Sequence, residues 1–129
     1  EMKDALGRQG RFVLDIKQAV RSGEDPFAIL QSLGNHVVHV HMSDHGEYGD
    51  CLLLGKGRFR VNAFLQKLAV VSPDCAVILE FYRSGSSDAA ELISNYTLLQ
   101  NRIRMASCPD IRNVPKDEND VRTLRKGEM

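Results

Sequence analysis

The sequence predicts an α/β protein built on a parallel sheet. Three observations carry that expectation. Three short aliphatic runs, RFVLD (11–15), HVVHVHM (36–42) and AVILEF (76–81), have strand length, and apolar residues on both faces mark them as buried strands. Segments of helical spacing lie between them and after the last. Strands that alternate with helices pair in parallel through right-handed crossovers. The expected order is β-α-β-α-β-α.

Each element has its own signal. The opening EMKDALGRQG reads as the last turn of an earlier helix with Gly7 as its C-cap, which implies sequence upstream. After the first strand, Asp25 and Pro26 are an N-cap and a first-turn proline, and Gly34 closes that helix. Phe27, Leu30 and Leu33 give it an apolar face. Residues 61–71 place Phe64, Leu65, Leu68 and Val71 at helical spacing. Asp88 with Glu91 forms a capping-box pattern, opening a helix through Leu92, Ile93, Tyr96, Leu99 and Ile103. Residues 108–129, with Pro109, Pro115 and dense charge, lack an apolar period and read as a polar tail.

Composition narrows the function classes. A chain of 129 residues, 43% hydrophobic, is one domain with material for a core. Lys and Arg number 17, as do Asp and Glu, so no net charge favours nucleic acid or an anionic membrane. Cys51, Cys75 and Cys108 are odd in number and widely spaced, which argues for reduced thiols and a cytoplasmic setting. No apolar run reaches the roughly 18 residues of a membrane span, and no signal peptide is visible.

All four histidines fall within residues 36–45. Each strand finishes on a metal-capable side chain: Asp15, His41 ahead of Ser43–Asp44, and Glu80. In parallel α/β folds, sites form at the carboxyl ends of strands. Alternation places Val37, His39 and His41 on one face of the second strand, and Ala76, Ile78 and Glu80 on one face of the third. Mixed nitrogen and oxygen donors suit Mn²⁺, Co²⁺, Zn²⁺ or Mg²⁺. A strand-end acid is more often a helix N-cap, and a lone histidine more often a core or surface residue. On the residues alone, both readings stay open.

The stretches FVLDIKQAVRSGEDPFAILQSLGNHVVHVHMSD, LLLGKG and AVILEFYRS, in that order, resemble the C-terminal part of the xylose isomerase-like TIM-barrel family. The likeness covers about residues 11 to 100. It implies strands six to eight of a (β/α)₈ barrel, with residues 1–107 as a partial barrel domain and 108–129 as the tail. A full barrel needs about 250 residues. The resemblance also implies a divalent-metal site on Asp15, His41 and Glu80, with a fourth ligand, a Glu on strand five, outside this sequence. The implied activity is isomerisation or epimerisation of a small sugar or sugar phosphate by proton transfer through an enediolate. Glu80 is then one of two catalytic carboxylates, and a chain lacking the other has little activity alone.

Substrate contacts are expected from Lys17, Gln18 and His45. Gln18 stands where many relatives carry a His that touches metal or substrate, and Lys56 where relatives usually show Glu. Gly55 and Gly57 read as turn residues, since the Walker phosphate-loop pattern is missing. His39 is expected in the core or beneath the metal ligands, and His36 and His45 in loops. The apurinic endonuclease branch, with three zinc ions, needs further ligands. Gln18 and Gly49–Asp50–Cys51 stand in their places and argue against it. The competing reading is a non-catalytic barrel piece that self-associates, as a homo-oligomer or with the missing N-terminal half, because an isolated parallel sheet exposes two pairing edges.

Overall fold

A computed structural model of the chain describes residues 9–81 and 89–107. Gly7, Asp88 and the tail at 108–129 lie outside the described residues. Within them the order is β1 (Phe12–Asp15), α1 (Ile16–Arg21), α2 (Pro26–Leu33), a 3₁₀ turn (Gly34–His36) and β2 (Val37–Met42). A hairpin, β3 (Asp44–Gly46) and β4 (Gly49–Leu52), follows, then α3 (Val61–Val71), β5 (Ala76–Leu79) and α4 (Ala89–Ala106).

The expected parallel sheet is present. Its order is β1-β2-β5, with β2 parallel to both neighbours. The register aligns Asp15 with His41 and His41 with Ile78. The amide of Glu80 donates to the Met42 carbonyl at 2.9 Å, carrying the pairing one residue past β5. Among the described residues the sheet is open, and the strands do not close into a barrel.

The helices expected at α2 and α3 form as their patterns dictate. Asp25 caps α2 by accepting from the Phe27 amide at 3.0 Å, and Gly34 ends it at φ +56°. Helix α3 buries Phe64, Leu65 and Leu68. Its C-terminal Ser72 donates to the Val37 carbonyl at 2.7 Å, tying the helix end to the start of β2. Leu14, Val40 and Met42 of the sheet share one core with Leu30, Phe64, Leu65, Leu68 and Leu99. Phe27, Phe59 and Phe64 pack ring to ring within it at 5.4–5.9 Å.

Several sequence expectations need correction. The strands are not buried on both faces. Val13 is 57% exposed and Ile78 43%, and His39 and Ala76 are also exposed. Register puts these four on the same side of the sheet as Asp15 and His41. The shared core forms on the opposite face, which carries Leu14, Val40 and Met42. His39 is therefore neither core nor packing beneath the cluster.

The simple alternation also missed two features. Helix α1 starts immediately after β1, capped by Asp15; its signal was Ile16, Ala19 and Val20 at helical spacing. The β3–β4 hairpin turns at Glu47–Tyr48. In α4, Leu99 is buried while Leu92, Ile93 and Tyr96 are exposed. The buried polar anchor there is Asn95, which accepts from the Leu54 amide at 3.2 Å and donates to its carbonyl at 3.0 Å. No described helix is long and apolar enough to cross a membrane.

Candidate metal centre

Asp15, His41 and Glu80 converge at the carboxyl end of the sheet. Parallel pairing in register delivers the first two side by side, and the extension of β5 brings Glu80 to them. One donor atom from each lies within 4.8 Å of the others, and all three residues are half-buried. His41 Nδ1 stands 3.5 Å from Asp15 Oδ2 and 3.3 Å from Glu80 Oε2. Protein zinc bonds to nitrogen or oxygen are about 2.0–2.2 Å, so two donors on one ion sit no more than about 4.4 Å apart. The imidazole–carboxylate distances already satisfy that limit. An Asp/His/Glu set is the donor chemistry of a hard or borderline divalent ion.

Both readings of Asp15 hold at once. Its Oδ1 accepts from the Gln18 amide at 3.0 Å and caps α1, while Oδ2 faces His41. Glu80 divides in the same way. Its Oε1 takes the Lys17 ammonium at 3.3 Å and its Oε2 faces His41. The hydrogen bond to Glu80 raises the Lys17 pKa above its ordinary value, burial opposes it, and the Glu80 charge adds to it. Lys17 is thus a charged partner of the cluster rather than a solvated lysine.

The remaining candidates are dispersed. Gln18 is exposed and touches the cluster through its backbone amide. His45 lies in β3, with its ring 5.2 Å from Phe59 and a buried Nδ1 that has no hydrogen-bond partner among the described residues. Its side chain packs against Phe59 and is not in the three-residue cluster. His36 Nδ1 pairs with the Gly10 carbonyl at 2.8 Å, near the start of β1. Lys56 is exposed in the turn after β4.

Sequence reasoning missed the structural role of Asp44. This carboxylate, 1% exposed, accepts from the amides of His45, Gly55 and Phe59 at 2.8–2.9 Å. Its position after the His-x-His pattern was visible, but amide partners contributed by a later loop were not. Gly55 and Gly57 act in the turn as expected, Gly55 at φ +89° and Gly57 against Asp44.

A cleft of about 340 Å³ opens beside the cluster, lined by Lys17, Arg21, Asp50, Cys51, Glu80 and Phe81. Arg21 grips Asp50 with two bonds of 2.6 and 3.1 Å, pinning α1 to β4. That hydrogen-bonded guanidinium holds the Asp50 carboxyl below its usual range. The cleft therefore presents cations and carboxylates in compensating pairs. The chain matches no family model, no curated protein and no solved structure.

Proposed function

We propose that this chain carries the metal-binding site of a sugar or sugar-phosphate isomerase or epimerase of the xylose isomerase-like kind. One observation carries the reading: Asp15, His41 and Glu80 come from the carboxyl ends of three adjacent parallel strands and bring their donor atoms within 4.8 Å. That is where parallel α/β proteins place their ligand sites.

The three residues would hold the ion, Mn²⁺, Co²⁺, Zn²⁺ or Mg²⁺, with His41 as a neutral imidazole ligand. Bound there, a divalent ion supplies Lewis-acid polarisation of a substrate carbonyl. The protein groups do the rest. Asp15, fixed by its N-cap bond, orients the cluster from below α1. Glu80 is the group that accepts the proton from the carbon next to the carbonyl. The cleft beside it admits a small polyol, with Lys17 in its wall. Gln18 and His45 enter this reading as substrate contacts only if the bound sugar reaches the outer turn of α1 and the hairpin.

Calorimetric titration with Mn²⁺ and Zn²⁺ tests the site. The expected result is one equivalent bound, with His41→Ala and Glu80→Gln each weakening binding at least about tenfold. Exchange of the α-proton of ketoses in D₂O tests the chemistry; it should be slow, since the resemblance puts the second catalytic carboxylate outside this sequence, and it should vanish in Glu80→Gln. No metal binding, or exchange indifferent to Glu80→Gln, overturns the reading. The second reading, a self-associating module, is favoured by exposed Val13 and Ile78 on the open sheet face.

A further inference from the structure

The two carboxylates of the cluster are each half-committed. Asp15 gives Oδ1 to a backbone amide and offers Oδ2; Glu80 gives Oε1 to Lys17 and offers Oε2. The Asp15 clamp is part of a helix cap and cannot be removed without changing the backbone. The Glu80 clamp is a side chain 63 positions away in the sequence. The Lys17 side chain is the more enclosed of the pair, 17% exposed against 38% for Glu80. Both residues line the cleft, so the ion pair sits in the wall of the space where a substrate would enter.

We infer that Lys17 is a positioning residue that restricts Glu80 to ligation through one oxygen and so keeps a coordination position free toward the cleft. The inference rests on the metal reading above. An ammonium at Oε1 engages one of that oxygen's lone pairs, leaving the other to take a substrate proton, and its charge repels a cation that moves toward Oε1. Chelation through both oxygens of Glu80 is therefore disfavoured. With Asp15 restrained likewise, the protein supplies three donor atoms, Asp15 Oδ2, a His41 nitrogen and Glu80 Oε2. The other positions stay with exchangeable water. A sugar offering two neighbouring oxygens needs two such positions, and a carboxylate that closed on the ion through both oxygens would take one of them.

The test compares the whole chain with Lys17→Met, Lys17→Gln and Lys17→Arg. Mn²⁺ affinity is read by electron paramagnetic resonance, and the water bound to Mn²⁺ by water-proton relaxation. Circular dichroism identifies which variants keep the fold, and either neutral variant suffices. Removing the cation and freeing Oε1 should tighten Mn²⁺ binding about three- to tenfold, the direction expected for loss of a like charge beside the site. Relaxation enhancement per bound Mn²⁺ should fall by about one water's share. Lys17→Arg should keep wild-type values. If the wild type binds Mn²⁺ and a folded neutral variant shows the same relaxation enhancement, Lys17 does not set the ligation of Glu80, and the metal site stands without it. If neither wild type nor variants bind, the metal reading falls and takes this inference with it.

Discussion

Gly57 lies so close to Asp44 that a Cβ at residue 57 would overlap the Asp44 carboxylate and the carbonyl of His45. Because the turn lacks a side chain there, the loop after β4 can close over Asp44 and deliver the Gly55 and Phe59 amides to it. Gly57→Ala must push this loop away. We expect a loss of about 1–3 kcal/mol, the scale of overpacking. Asp44→Ala should cost more, about 3–5 kcal/mol, because buried amides are left without an acceptor. Urea denaturation of both variants checks the order. Equal stability of Asp44→Ala and wild type would show that the loop satisfies its amides some other way.

The Arg21–Asp50 pair should make a small, acid-sensitive contribution. Arg21 depresses the Asp50 pKa in the folded state, so the unfolded chain binds the proton more readily. The stabilisation is full above the ordinary carboxyl value, 3.8, and is lost as pH falls from there through the depressed folded value. Both side chains keep solvent contact, so the contribution is small and shrinks with salt. Asp50→Asn should be less stable than wild type at pH 7, and the gap should narrow as the pH falls below 3.8. A difference that does not shrink with acid would mean the residue acts through packing.

Much of this architecture was legible in the sequence, and the gaps have physical causes. The sheet and its metal-capable ends could be read because strand pairing follows from β-α alternation, and the chemistry sits at a fixed point on each strand. Helix α1 was missed because six residues give too short a period to separate from a loop, although Asp15 is as good an N-cap as Asp25. The exposure of His39 could not be read, since alternation says which residues share a face but not which face the helices cover. Lys17 was read as a substrate contact and not as a partner of the cluster because Glu80 is distant in the chain. The described residues form an open sheet, and the barrel closure that the family resemblance implies is not seen in them.

Cys75 should be a slow thiol. Burial pushes its pKa up to about 11. The thiolate is the reactive form, so at pH 8 only about one part in a thousand is nucleophilic. Pulsed iodoacetamide labelling with peptide mapping should show little modification of Cys75 at pH 8 and a steep rise between pH 10 and 11. Labelling at pH 8 as fast as that of a free cysteine would mean that the segment holding Cys75 opens readily.

The open sheet face sets the last expectation. Val13, His39 and Ala76 form one row across it, and Asp15, His41 and Ile78 the next. The metal-capable residues therefore stand at the end of a solvent-facing surface that carries exposed Val13, Ala76 and Ile78, and β1 and β5 are the sheet edges among the described residues. Exposed apolar residues beside unpaired strand edges favour association. We expect sedimentation velocity at about 50 μM to show self-association, and Val13→Thr with Ile78→Thr to weaken it. Threonine is suited here because it keeps the branched shape that strands favour while removing apolar surface. Association that involves this face should also shield the cluster. Metal exchange should then slow as protein concentration rises, and the double variant should remove that dependence. A wild-type chain that stays monomeric at this concentration would leave the self-association reading without support. Association unaffected by the double substitution would place the contact on another surface, the exposed Leu92, Ile93 and Tyr96 of α4 being the next to test.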